Sequence, residues 1–244
     1  MGQGDATLIS LGREHVLVDG GRARNIVLVL ADYQVDSLVA VVASHNHADH
    51  ISGLVAVVAD YPVGRFYGNG RSPANATAEE LEEWLSLKGV ARPPPPWPPV
   101  VLGDDVTVRI LRPPPVPTAS ENNSSLGVIV QRGPFRALLT GDSEHEELVA
   151  WLETGIIPDV DVLKAAHHGA RNGITPGWIQ RSRPEVVVIS VGAGNGYGHP
   201  DAAALRYYGY RGSTIYRTDR DGTVSVVVDS AGTYHVIASG PTVR

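Results

Sequence analysis

Ser44-His45-Asn46-His47-Ala48-Asp49-His50 is the stretch that decides the fold. From His45 to His50 it carries three imidazoles and one carboxylate, the donor types that zinc and comparable divalent cations accept. It follows directly on residues 38–43, Leu-Val-Ala-Val-Val-Ala. The length and valine content of that apolar run predict a strand buried on both faces. A strand ending at Ser44 leaves the four donors in a tight loop at one edge of a sheet. From there His45 and His47 can face one metal, and Asp49 and His50 a second. The competing reading, a polar connection that is His-rich by chance, is disfavoured by four ligand-type side chains at this spacing.

The flanking sequence supplies the rest of the frame. Residues 6–10 and 15–18 read as strands around the turn Leu11-Gly12-Arg13-Glu14, a hairpin pattern, and residues 26–33 as a helix. Downstream, residues 51–60 are expected as a helix and 63–67 as a strand. Residues 77–88 are expected as a helix capped by Thr77, with Glu79 and Glu80 at its positive end. Proline-rich stretches at 92–99 and 113–117 read as stiff connectors, because proline fixes φ and removes a donor. A second hairpin, 126–131 and 135–140, ends on Gly141-Asp142. Ser143 and Glu146 form a capping-box pattern for a helix at 143–153. Next come a strand at 160–166 ending at His167-His168-Gly169, a helix at 173–181, and a strand at 185–191 leading into the glycine-rich 192–200. A helix at 201–210 and strands at 215–218, 223–229 and 233–238 close the chain. This order suits an α/β four-layer αββα sandwich, two sheets face to face with helices outside, in one domain over residues 1–244.

Composition narrows the chemistry. The 244 residues are 43% hydrophobic and 19% charged, ordinary globular values. With no cysteine, disulfides, thiolate metal sites and cysteine nucleophiles are excluded, so metal binding must use His and carboxylates. The formal net charge of −6 advertises no broad basic face for nucleic acid. Residues at the start show no basic and apolar leader, and no apolar run approaches the ~20 residues of a membrane helix. The expectation is a cytoplasmic protein without membrane insertion.

The first motif matches the signature of the metallo-β-lactamase superfamily. Further landmarks occur in order: Gly2-Gln3-Gly4-Asp5-Ala6, Asp19-Gly20-Gly21, Glu121-Asn122-Asn123-Ser124-Ser125-Leu126, Leu138-Leu139-Thr140-Gly141-Asp142, Asp161-Val162-Leu163-Lys164 with His167-His168-Gly169, Tyr197-Gly198-His199-Pro200, and Tyr216-Arg217-Thr218-Asp219 with Asp221-Gly222. Together they resemble the metallo-hydrolase domain of ComEC-type competence proteins over nearly the whole chain. Those proteins also carry a membrane channel, so the resemblance is to a free-standing relative of that domain.

The resemblance implies the metallo-β-lactamase fold and two divalent metal ions, Zn or Mn. The ligands would come from His45, His47, Asp49, His50, Asp142 and the pair His167 and His168, with Asp142 bridging the metals. As adjacent residues of a strand end, His167 and His168 would point to opposite faces, so one ligates, with His168 slightly favoured. His199 is a rival for the last ligand and a candidate proton donor, and Asp49 would also orient the nucleophile. Asp5 and Asp19 are expected to orient metal-bound histidines. Many superfamily members place a third histidine between the first motif and the bridging Asp, but none occurs here between His50 and Asp142. Asn122, Asn123 and Ser124 occupy the matching segment. Either they make a weaker, harder first site that prefers Mn, or they bind substrate. Lys164 is expected at a substrate phosphate.

The implied activity is hydrolysis of a phosphodiester, with DNA foremost, by a hydroxide bridging the two metals. The alternatives are a lactone or amide hydrolase and a metal-stabilised binding module without catalysis.

Overall fold

The computed structural model describes residues 2–117 and 120–240. The first half runs β1 (Thr7–Leu11), β2 (Glu14–Val18), α1 (Ile26–Asp32), β3 (Ala40–Val42), α2 (Ala48–Asp60), β4 (Phe66–Tyr67) and α3 (Ala76–Leu87). The second half runs β5 (Val100–Leu102), β6 (Val106–Leu111), β7 (Gly127–Arg132), β8 (Phe135–Leu139), α4 (His145–Glu153), β9 (Val162–Lys164), α5 (Pro176–Ser182), β10 (Val186–Ile189), α6 (Ala202–Tyr210), β11 (Thr214–Arg217), α7 (Thr218–Asp221), β12 (Val224–Val228) and β13 (Tyr234–Ala238). Four strands form one sheet in the order β1-β2-β3-β4. Seven form the other in the order β11-β10-β9-β8-β7-β6-β5, and β12 pairs with β13 in a separate hairpin.

Strand alternation divides the core into layers. Val16 and Val18 of β2 and Ala40 and Val42 of β3 join Val108, Ile110, Val128 and Val130 of the second sheet in one buried cluster. The intervening Leu17 and Val41 point the other way and pack with Ile51, Leu54 and Leu85 of α2 and α3. Ile129 and Leu138 likewise face outward against Leu148, Trp151, Trp178 and Tyr208 of α4, α5 and α6. Side chains of period two thus fill an inter-sheet core and two sheet-to-helix cores, which is the expected αββα sandwich. Each buried aliphatic side chain adds about 1.5–3 kcal/mol relative to exposure.

Some local expectations are corrected. The helix predicted from Ile51 begins at Ala48, so Asp49 and His50 lie in its first turn and only His45 and His47 remain in the loop. The reason is backbone pairing: the His47 carbonyl accepts from the N–H groups of both His50 and Ile51. Asn75, not Thr77, caps α3, its side chain accepting from the Ala78 N–H. Glu144 is the N-cap of α4 without a side-chain bond, and the Ser143 hydroxyl turns back to the Thr140 carbonyl instead of forming the capping box. Strands β5 and β6 had no sequence-based assignment.

Strand direction gathers the motif loops. β3 runs parallel to β2 and β4, and β8, β9, β10 and β11 are mutually parallel. The segments after β3, β8, β9 and β10 therefore leave from carboxyl ends, where α/β sheets present their sites. Two glycines let them meet. A Cβ on Gly4 would stand 2.4 Å from the Asp49 carbonyl oxygen, and one on Gly141 2.7 Å from the Ser44 side chain. Both also have φ in the left-handed half of the map, +144° and +51°.

Candidate metal centre

Asp19, the residue after β2, is buried and fastens the first motif from behind. One carboxylate oxygen accepts from the Ser44 N–H (2.7 Å), and the other accepts from the Ser44 hydroxyl (2.8 Å) and lies 2.9 Å from His50 Nδ1. With Nδ1 held by that carboxylate, the Nε2 lone pair of His50 faces the centre. It stands 3.3 Å from Asp142 Oδ2. His168 is oriented the same way: Nδ1 lies 2.9 Å from the Ser190 carbonyl oxygen. Its Nε2 is 3.4 Å from Asp49 Oδ2 and 3.5 Å from Asp142 Oδ2. His45 Nε2 lies 3.0 Å from His47 Nδ1 and 4.0 Å from Asp142 Oδ2.

Potential ligand atoms of His45, His50 and Asp142 lie within 4.8 Å of one another, as do those of Asp49, His50 and His168, and those of Asp5, Asp142 and His168. His50 Nε2, His168 Nε2 and Asp142 Oδ1 are buried and have no hydrogen-bond partner. Buried polar atoms are normally satisfied. Three orphans on side chains that converge around Asp142 fit a divalent cation, and the set of imidazoles and carboxylates suits Zn or Mn.

Electrostatics agree with that fit. Asp5, Asp19, Asp49 and Asp142 crowd the same region, and among the described residues only Asp5 is paired with a Lys or Arg, Lys164. Burial drives the His45 pKa well below its ordinary value, which keeps the ring neutral. Burial would raise the pKa of both Asp49 and Asp142. The close approach of His168 and the charge of His50 nevertheless bring Asp49 down to about 2, and the charges of His50 and His168 hold Asp142 well below the usual carboxylate range. Neutral imidazole and ionised carboxylate are the ligating forms. His50 is raised well above normal despite its burial, because the negative charges of Asp142 and Asp19 draw positive charge to it.

The pair after β9 departs from the expected strand geometry. His167 and His168 sit in a helical turn with φ of +49° and +53°, so they do not alternate across a strand. Both rings turn towards Asp142: His167 Nε2 lies 3.8 Å from Asp142 Oδ2, and His167 Nδ1 lies 3.1 Å from Asn172 Oδ1. His199 stands at the rim, its ring centre 5.5 Å from that of His167 and 6.5 Å from that of His168.

Other expected residues lie around this cage. Asn123 Oδ1 accepts from the Glu144 N–H, Asn122 Nδ2 donates to the Glu144 carboxylate, and the Ser124 hydroxyl donates to the Ser120 carbonyl. These polar groups bind the protein itself, while Asn122 Oδ1 is buried without a partner. Lys164, expected at a substrate phosphate, is buried. Its ammonium bonds Asp5 and lies 3.4 Å from the Gly141 carbonyl oxygen, behind the cage.

Glu121 was not assigned a role from sequence. Its carboxylate accepts from the Asn46 N–H and Asn69 Nδ2 and pairs with Arg71 Nε at 2.8 Å. Arg71 also donates to the Ser124 hydroxyl, so one network ties the first motif to the 121–124 segment. Glu121 stands beside the quoted Asn-Asn-Ser-Ser run, which was its signal. Asn69 and Arg71 have none, because their partners are some fifty residues away (|i−j| of 52 and 53).

A sequence model described as the metallo-beta-lactamase superfamily matches residues 1–192. ComE operon protein 3 of Bacillus subtilis (strain 168) is 28% identical over 192 residues, 78% of this chain and 24% of that protein. Recombination protein 2 of Haemophilus influenzae is 26% identical over 240 residues, 93% of this chain and 28% of that protein. The chain thus spans about a quarter of the length of the curated relatives it matches. Among solved structures, the metallo-beta-lactamase fold protein YhfI from Bacillus subtilis is similar with a TM-score of 0.53 at 14% identity, over 88% of each chain. Tm1679, described as a metal-dependent hydrolase of the beta-lactamase superfamily, gives 0.53 at 14% identity over 97% of this chain and 96% of its own. At that identity the likeness concerns the fold. No helix among the described residues is long and apolar enough to cross a membrane.

Proposed function

The chain belongs to the metallo-β-lactamase superfamily, and from that premise we propose that it is a metal-dependent phosphodiesterase whose substrate is nucleic acid, DNA foremost. The observation that carries the reading is the convergence of His50 Nε2, His168 Nε2 and Asp142 Oδ1, all buried and without partners. In this reading Asp49, His50 and His168 would hold one cation and His45 and His47 a second, with Asp142 contributing its carboxylate to the centre. Bound divalent cations would lower the pKa of water to about 7 and polarise a phosphoryl oxygen.

The protein's own groups do the remainder. Asp19 and the Ser190 carbonyl fix the rings of His50 and His168, so that neither reorients as substrate enters. Asp49, ionised in the first turn of α2, would orient the attacking water by accepting a hydrogen bond from it. His199, at the rim beside His167, would protonate the leaving oxygen from its imidazolium form, which burial and the charge of His167 make more acidic than a free imidazolium. A phosphodiester is favoured over a lactone or amide because no histidine between His50 and Asp142 fills out the His45/His47 side, which leaves it weaker than a full set of imidazoles would make it. The relative named for recombination, a transaction of DNA, is compatible with that substrate.

The test is turnover of bis(p-nitrophenyl) phosphate by metal-stripped protein restored with Mn or Zn, alongside Asp142→Ala. The expected result is metal-dependent hydrolysis that falls by at least about a hundredfold in the variant, the size of effect seen on losing a central electrostatic group. Absence of turnover with either metal would overturn the phosphodiesterase reading.

A further inference from the structure

We propose that the cleft beside His167 is a base-binding subsite, in which the Tyr197 ring stacks on one unpaired nucleobase of a phosphodiester held at the cage. The proposal rests on the phosphodiesterase reading and adds to it the substrate class, a single-stranded nucleic acid or nucleotide ester. The cleft measures about 450 Å³, and its lining includes Arg171, Asn172, Tyr197, His199 and Asp201, room for a nucleotide unit by the usual size of ligand sites. It adjoins the cage through His167. Asn172 Oδ1 is 3.1 Å from His167 Nδ1, and the opposite ring nitrogen of His167 is 3.8 Å from Asp142.

Tyr197 is 65% exposed. Its ring lies nearly parallel to that of His199, 16° between planes with centres 6.0 Å apart. Nothing in the core requires an aromatic ring there. The loop that carries it is nonetheless fixed: Asn195 Oδ1 accepts from the N–H groups of both Tyr197 and His199, and Asn195 Nδ2 donates to the carbonyls of Gly192 and His199. An exposed ring held in place by its own loop loses little entropy on binding. Asp201, the one carboxylate in the lining, is engaged with the Ala203 N–H as the cap of α6, which leaves Arg171 as the charged group free to meet a phosphate. With a net charge of −6, the protein cannot rely on a broad basic face to hold nucleic acid. Stacking supplies affinity that does not depend on charge and tolerates any base, provided the base is unpaired.

The experiment compares kcat/KM for thymidine 5′-(p-nitrophenyl phosphate) and methyl p-nitrophenyl phosphate, two diesters with the same leaving group, using metal-loaded full chain. The expected wild-type preference for the base-bearing ester is about tenfold, within the range for one base on one aromatic ring. Tyr197→Leu is expected to bring that ratio close to one, and Tyr197→Phe to keep it. A wild type without preference, or a Tyr197→Leu variant that keeps the wild-type ratio, would overturn the subsite while leaving the phosphodiesterase reading intact. Failure to hydrolyse either ester would overturn both.

Discussion

Asp19 carries a large share of the site's geometry for a residue that points away from the substrate side. Its two oxygens take the Ser44 N–H, the Ser44 hydroxyl and His50 Nδ1. Removing the negative charge while keeping the shape isolates its orienting role. Asp19→Asn is expected to weaken metal affinity by about 10–100-fold, measured by competition with a chromogenic chelator, while the far-UV circular dichroism stays that of the wild type. Unchanged affinity would mean that His50 needs no such support. Much of the centre was legible at this level. His45, His47, Asp49 and His50 are readable because donor type and spacing sit in one short stretch, and Asp142 and His167-His168 because each follows shortly on an apolar strand. The partnership of Lys164 with Asp5 was not legible, since the two residues meet only when β9 and the amino-terminal segment come together. Nor was the left-handed backbone of His167 and His168, which no local propensity for histidine foretells.

Helix α4 sets a buried acid against the second sheet. Glu147 is fully buried, and burial pushes its carboxyl from 4.5 up to about 8. A carboxyl raised in the folded state keeps its proton there while the unfolded chain has already lost it. The folded state therefore binds more protons between pH 4.5 and about 8, and this residue makes stability fall as pH rises through that window. Glu147→Gln stays neutral throughout. Urea unfolding of both proteins at pH 5 and pH 8 is expected to show the variant more stable at the higher pH by roughly 2–4 kcal/mol, with little difference at the lower. Equal pH slopes in the two proteins would contradict the assignment. Element boundaries show where local sequence falls short. The sequence places the start of α2 at Ile51, three residues late, because Ala48-Asp49-His50 has the polarity of a loop, whereas the His47 carbonyl takes the N–H groups of His50 and Ile51. Strands β5 and β6 lie between the two proline-rich stretches, whose connector signal flanks and masks the strand alternation of Val106, Val108 and Ile110.

The whole molecule is a device for bringing distant strand ends to one edge. The inter-sheet core was legible from alternation in β2 and β7, and the outer helices from strand–helix order. What sequence order alone could not give was which carboxyl ends meet, because β8, β9 and β10 are neighbours only through their parallel pairing. Their meeting places four carboxylates and the histidine rings around one small volume with a single lysine among them. Such a concentration of buried negative charge is expected to be balanced by cations. The most direct measurement is elemental analysis of purified protein after equilibration with Mn or Zn and removal of free metal, for wild type and Asp142→Ala. The expected result is about two divalent ions per wild-type chain, as in hydrolases with paired cations, and loss of at least one in the variant. A wild-type chain that retains neither metal, or a variant that retains as much as the wild type, would contradict a metal centre built around Asp142.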